Sequence, residues 1–154
     1  SFYEIALVEA QVRLADAQVR LVEKQIEKED QEAALRAAQV AFLLREITRE
    51  RVTLFNQFMQ DLGTYYKTER SVSFYASRLC ITPKYLSSIT KEMINKNPVE
   101  LITQCVLVES KTMLKSTSLS IQQISDALNF PNQSFFGKYF KRYSGMSPQQ
   151  YRQS

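Results

Sequence analysis

Residues Ser118–Arg152 read SLSIQQISDALNFPNQSFFGKYFKRYSGMSPQQYR, and this stretch decides the fold. Ser120 followed by Gln123 is a Ser-x-x-Gln capping box, in which each side chain satisfies a free backbone N–H at a helix start. Ile124 and Leu128 fall on the inward side of that first helix. Asn129-Phe130-Pro131 then turns the chain, and Asn132 caps a second helix whose inward residues are Phe136 and Phe140. The pattern is helix, short turn, helix.

The same unit occurs earlier. LSSITKEMINKNPVEL at Leu86–Leu101 lies over FGKYFKRYSGMSPQQY at Phe136–Tyr151 with an offset of 50, matching Ile89 to Tyr139, Lys91 to Lys141 and Pro98 to Pro148. Upstream the offset is 49, Leu79 over Leu128, so the second copy carries one extra residue in its turn. Repeats of this length mark a reused supersecondary unit. In the first copy Ser71 is the N-cap, and Tyr75, Ala76 and Leu79 form the inward stripe. After a turn at Cys80-Ile81, Thr82 caps a second helix with Pro83 at its first position, where a missing N–H costs nothing. Between the copies, residues 98–115 read as a connecting helix with Ile102, Cys105, Val106 and Met113 on its inner side. The units span about 71–95 and about 120–144.

Upstream, from Val8, the sequence runs VEAQVRL, ADAQVRL, VEKQIEK. Ile5, Val8, Val12, Ala15, Val19, Val22 and Ile26 alternate at spacings of 3 and 4, the a/d seam of a coiled coil. The a position continues apolar through Ala33, Val40, Ile47 and Leu54, whereas d breaks at Glu29, Arg36 and Glu50. Leu7, Leu14 and Leu21 lie on a different face, so this helix has more than one packing side. A helical hairpin or dimerisation bundle is expected, bent at Glu27–Glu32; one uninterrupted helix to about Met59 is the competing geometry. The fold class is therefore all-α: N-terminal heptad helices over residues 1–50, then residues 51–154 with two helix-turn-helix units joined by a connecting helix. Only 3 Gly and 4 Pro in 154 residues agree with that class, since hairpin-rich sheets need more turn residues.

Charge is unevenly placed. Residues 1–66 carry 8 Lys+Arg against 11 Asp+Glu, and residues 67–154 carry 12 against 5, so a basic C-terminal part follows a mildly acidic one. Basic domains of this size commonly meet phosphate backbones. The absence of His removes His-dependent catalysis, and Cys80 and Cys105 lack the partners for a zinc site or a Cys/His pair. The two cysteines read as reduced core or turn thiols. No Gly-rich phosphate loop is present, and Glu92, Glu100 and Glu109 are scattered, so no catalytic residue, cofactor or metal is expected. No apolar run reaches the ~18 residues of a membrane span, so no membrane partner is expected. The start, Ser1-Phe2-Tyr3, resembles the cut edge of a longer protein more than a signal peptide.

The stretch Ser118–Arg152 closely resembles the C-terminal signature of the AraC/XylS family of bacterial transcription regulators, and RSVSFYASRLCITPKYLSSITKEM at Arg70–Met93 resembles that family's first helix-turn-helix. Together they cover roughly 85 to 100 residues, from near Val52 if the helix Val52–Tyr66 is included. The resemblance implies a cytoplasmic regulator that binds double-stranded DNA, with two recognition helices entering successive major grooves. It also implies RNA polymerase as a further partner, and in that family a separate N-terminal domain often senses a small molecule and dimerises; here the heptad helices predict a homodimer through residues 1–50. Two departures stand out. Where the family usually has a turn Gly, this chain has Cys80 and Asn129, and Cys tolerates a left-handed conformation less well than Asn. In the connecting helix, positions where relatives often carry Arg hold Val106 and Glu109, which argues against phosphate contacts from that helix.

A recognition helix presents polar tips to base edges from its N-terminal turns. In the first unit the outward residues are Lys84, Ser87, Ser88 and Lys91; Lys84 suits guanine O6/N7. In the second they are Gln133, Ser134, Phe135 and Lys138, with Gln133 suited to adenine N6/N7 and Phe135 to a thymine methyl. Lys91, Lys141 and Arg142 are expected on phosphates, and Tyr139 and Tyr143 in helix packing. The second unit, with Gln133, is expected to discriminate sequence more than the serine-rich first. The alternative function is a helical interaction module with weak or vestigial DNA binding, marked by tight self-association without salt-dependent duplex binding.

Overall fold

The computed structural model describes residues 1–26 and 31–154. Among them are eight helices and no strand: α1 (Phe2–Ile26), α2 (Gln31–Tyr65), α3 (Val72–Arg78), α4 (Pro83–Ile94), α5 (Pro98–Ser116), α6 (Ile121–Ala127), α7 (Gln133–Ser144) and α8 (Pro148–Gln153).

Helices α1 and α2 pack antiparallel. Arg45 meets Asp16 at 3.7 Å and Glu23 at 2.9 Å, while Val8, nearer the chain start, joins Phe55 further along α2. The N-terminal segment is thus a hairpin, and a single helix through to Met59 is excluded. The expected bend at Glu27–Glu32 falls, as far as Asp30, outside the described residues.

Part of the heptad seam of α1 is covered within the chain, while Ile5 and Val22 stay 46% and 45% exposed. Val8 and Val19 are buried and Val12 and Ala15 half-buried on the side facing α2. Its extension into α2 is corrected at three of the four positions: Val40 and Ile47 are 54% and 50% exposed and Ala33 is exposed too, whereas Leu54 is half-buried against the cluster of Val8 and Phe55. The covered stripe of α2 runs instead through Ala34, Ala37, Ala41, Arg45, Thr48, Val52, Phe55, Met59 and Leu62, again at spacings of 3 and 4 but in another register. A chain reversal resets the phase of a helical repeat, so a register counted straight through it loses its meaning.

The lower half of α2 lies against the first helix-turn-helix, α3–α4. Phe58 and Leu62 join Tyr75, Ala76 and Leu86 in the main hydrophobic cluster. That cluster continues through Leu101, Ile102, Val106 and Leu114 of α5 to Ile124, Leu128, Phe136 and Phe140 of the second helix-turn-helix, α6–α7. The two units therefore share one core, with α5 as its spine. Of the expected inner residues of α5, Ile102 and Val106 are buried; Cys105 and Met113 are half-buried at its edge, and Leu114 takes the interior place. The reason is geometric: Leu114 falls in line with Val106 and Ser110 on the covered side.

Candidate nucleic-acid interface

The duplication seen in the sequence is a duplication of local geometry. Thr82 and Asn132 each accept a hydrogen bond from the backbone N–H three residues on, Tyr85 and Phe135, and so start α4 and α7 in the same way. Both helices have 12 residues and close on a left-handed residue, Asn95 (φ 55°) and Gly145 (φ 86°). Capping boxes at Asn97/Glu100 and Ser147/Gln150 then open α5 and α8. The box at Ser120/Gln123 is present, whereas Ser71 takes extended backbone before α3 without a side-chain cap hydrogen bond.

The tight turns also match. Cys80 and Asn129 stand at φ 57° and 54°, the left-handed region that costs an L-residue with a Cβ. Asn129 recovers part of that cost, because its side chain donates to the Thr68 carbonyl at 2.9 Å. No side-chain hydrogen bond does this for Cys80 among the described residues.

On α4 the residues Leu86, Ile89, Thr90 and Met93 are buried. Lys84, Ser87, Ser88 and Lys91, spaced i, i+3, i+4, i+7, form one stripe on the opposite side, exposed except for the half-buried Ser87. Ser88 is also held from behind: it donates to the Tyr85 carbonyl at 2.8 Å and accepts from Arg51 at 3.3 Å. Arg51 in turn pairs with Glu92 at 2.7 Å and lies over the Tyr85 ring at 5.6 Å. Gln11 of α1 donates to the Glu92 carbonyl at 3.1 Å, so the N-terminal hairpin braces this helix.

On α7, Phe136 and Phe140 are buried. The stripe equivalent to that on α4 is Ser134, Gly137, Lys138 and Lys141. Gln133 and Phe135 flank it on opposite sides in the first turn, both exposed, and Arg142 flanks it in the last turn beside Tyr143. Tyr139 packs as expected: its hydroxyl donates to Thr103 at 3.3 Å and its ring lies 4.9 Å from that of Tyr143. Burial pushes the Tyr139 phenol above its ordinary pKa.

Gly137 was not among the residues picked out from sequence, although the offset of 50 places it over Ser87. Arg51 and Arg70 were also missed, since their partners lie 37 to 59 residues away in the chain. Val106 is buried, and Glu109 accepts from Tyr66 at 3.0 Å and pairs with Lys67 at 3.1 Å, so neither is placed as a cationic phosphate contact. Burial pushes the Cys105 thiol above its ordinary pKa, which disfavours its thiolate. No group of His, Cys, Asp and Glu able to hold a metal ion occurs among the described residues, and no described helix is long and apolar enough to cross a membrane.

Two similar helix-turn-helix units, each with a capped second helix carrying a polar, lysine-bearing outer stripe, define a double helix-turn-helix protein. The profile of the helix-turn-helix domain family matches residues 75–154, more than half the chain. The chain belongs to that family, among the AraC-type transcription regulators. It is 32% identical over 100 residues to the raffinose operon transcriptional regulatory protein RafR of Pediococcus pentosaceus, covering 65% of this chain and 36% of that protein. The Msm operon regulatory protein of Streptococcus mutans is 31% identical over 97 residues, 63% of this chain and 35% of that one. The chain thus spans about a third of the length of these relatives. Among solved structures it resembles the C-terminal domain of AraT, a response regulator from Geobacillus stearothermophilus (TM-score 0.61, 26% identity, 65% of this chain and 84% of that one). It also shares the fold of the DNA-binding domain of AdpA, solved in complex with a target DNA (TM-score 0.56, 16% identity, 65% of this chain and 89% of that one).

Proposed function

We propose that this chain is the DNA-reading part of a transcription regulator, with α4 and α7 entering successive major-groove segments of one duplex. The observation that carries this is the repeated stripe: Lys84, Ser87, Ser88 and Lys91 on α4, and Ser134, Gly137, Lys138 and Lys141 on α7, on equally capped helices. Neither helix has an acidic residue in its first turn, so nothing there opposes a phosphate or a base acceptor. Gln133, Ser134, Phe135 and Lys138 read bases in the second unit and Lys84, Ser87 and Ser88 in the first; Lys91, Lys141 and Arg142 hold phosphates. Such a regulator works in the cytoplasm and catalyses no reaction, and RNA polymerase is a further partner on the family resemblance alone. Selection from a randomised duplex pool at physiological salt tests the assignment. Two enriched elements centred about 10 bp apart support it. No enrichment, with no salt-sensitive binding even at low ionic strength, overturns it in favour of an interaction module.

A second copy is the partner proposed for the N-terminal hairpin. The seam Ile5–Ile26 is mostly occupied by α2, so pairing requires a different face. Tyr3, Leu7, Ala10, Leu14, Ala17 and Leu21 follow spacings of 4 and 3 along α1 and are all exposed, Leu14 and Leu21 by 62% and 63%. An apolar line of this regularity is the seam of a helix pair. Arg13 and Arg20 flank it on one side and Gln11, Gln18 and Gln25 on the other. A parallel pair sets Arg beside Gln, whereas an antiparallel pair sets Arg against Arg, so the parallel pair is favoured.

A further inference from the structure

Gly137 occupies the centre of the outer stripe of α7, between Ser134 and Lys141 and beside Lys138. A Cβ there would meet nothing within 4 Å beyond its chain neighbours and the helix's own backbone, and the backbone is ordinary right-handed helix. The protein itself therefore makes no use of the missing side chain. A helix-interior Gly is less favourable than Ala, so the chain gives up stability at this point without a compensating internal contact. Gly63 in α2 has the same empty surroundings but lies off both outer stripes, so emptiness alone does not mark a site. What separates Gly137 is its position: it stands where the first unit has Ser87, in the middle of the surface proposed to enter the groove.

We propose that Gly137 is the point of closest approach between α7 and duplex DNA, a gap in the stripe that lets the helix backbone sit against the groove and brings Ser134 and Lys138 onto base edges. The proposal rests on the DNA-reading assignment above and adds a steric rule to it. In the first unit the corresponding Ser87 holds the helix axis further out and itself faces the bases. The second unit would accordingly seat more deeply than the first, with shorter contacts and stricter sequence demands. A groove-seated helix has little room to move outward without losing its neighbours' hydrogen bonds, so one methyl group is felt.

The test uses the full chain and the duplex selected above, with Gly63→Ala as the matched control. Both Gly63→Ala and Gly137→Ala should raise Tm by about 2–4 °C, as expected for a helix-interior Gly replaced by Ala in a chain of this size. Gly137→Ala should nevertheless bind the selected duplex at least tenfold more weakly, and Gly137→Leu more weakly still, while Gly63→Ala binds as the parent does. Binding to a random duplex, dominated by phosphate contacts, should change little in any of them. Parent-like binding by Gly137→Ala and Gly137→Leu overturns the close-approach proposal while leaving the DNA reading intact. Failure of the parent to bind any duplex overturns both.

Discussion

The guanidinium of Arg70 lies 3.9 Å above the ring of Phe130 and donates through Nη1 to the Leu128 carbonyl at 2.6 Å. Its other Nη2 donates to the Asn129 carbonyl. Arg70 sits in the connection between α2 and α3, whereas Leu128, Asn129 and Phe130 form the turn that aims α7. Asn129 completes the clamp by donating back to the Thr68 carbonyl at 2.9 Å. A planar donor fork thus fixes one helix-turn-helix to the entry of the other. Arg70→Ala should cost about 2 kcal/mol, since charge-assisted hydrogen bonds to two carbonyls are lost together. Arg70→Lys should recover less than half, because an ammonium cannot bridge two acceptors while lying flat on a ring. Urea unfolding of the three proteins measures both differences.

The two left-handed turn residues should respond in opposite ways to glycine. Cys80 at φ 57° carries a Cβ with no compensating hydrogen bond, so Cys80→Gly should stabilise by about 1 kcal/mol. Asn129→Gly relieves a similar conformation, φ 54°, but removes the bond to Thr68, and Asn is the residue that tolerates this region best. It should be neutral or destabilising by up to about 1 kcal/mol. Thermal unfolding of each variant separates the two signs.

How far the sequence reached depends on how local each feature is. Caps, turns and inward stripes are decided within four or five residues. Thr82, Asn132, Ser120 with Gln123, and the phenylalanines of α7 all stand where the pattern places them. Ser71 is the exception, a cap residue by type whose hydroxyl makes no cap bond. The α2 register failed because periodicity carries no phase across a reversal. The braces were illegible for another reason: Arg51 on Glu92 and Arg70 on Leu128 are meetings of distant segments, and an Arg in a helical sequence looks the same whether solvated or clamped. Gly137 had a readable signal, its alignment with Ser87, but its meaning needs the empty space around the missing Cβ.

Alkaline pH should loosen the first helix-turn-helix through Tyr75. Its ring is buried against Phe58 and its hydroxyl donates to the Glu69 carbonyl at 2.8 Å. Burial raises its pKa well above the ordinary value of 10.0. The folded state therefore holds this proton more tightly than the unfolded chain does. Its contribution is complete below pH 10 and declines as pH rises beyond that. Tyr66 and Tyr139, also raised by burial, add to the same trend. Urea midpoints should hold from pH 8 towards pH 10 and fall as the pH rises from 10 to 11. Tyr75→Phe should lower the unfolding free energy at pH 8 by about 1 kcal/mol for the lost hydrogen bond, and reduce the fall above pH 10.

Base reading and phosphate holding should separate in solution. Gln133→Ala should relax one base position at a cost of about 1–3 kcal/mol, visible as a flattened column in a repeated selection. Lys141→Gln should weaken binding to all duplexes alike and lower the slope of log K against log salt by about 1. Greater loss of specificity from Lys84→Ala or Ser87→Ala than from Gln133→Ala would place the main discrimination in the first unit instead.

The proposed pairing through α1 can be tested on the two faces of that helix. Val8 lies inside the hairpin with Phe55, Ile89 and Met93, at the back of α4, so Val8→Glu should damage folding itself. Leu14 is 62% exposed and makes no part of either buried cluster. Leu14→Glu should leave the unfolding midpoint within about 0.5 kcal/mol of the parent, as surface substitutions do. It should nevertheless turn a sedimenting dimer into a monomer by placing a charge in each copy's seam. Because α1 also touches α4 through Gln11 and Glu92, loss of the pair should weaken binding to mirror-related double sites far more than to a single site. A parent that sediments as a monomer at tens of micromolar, or a Leu14→Glu protein that remains a dimer, removes this face as the contact.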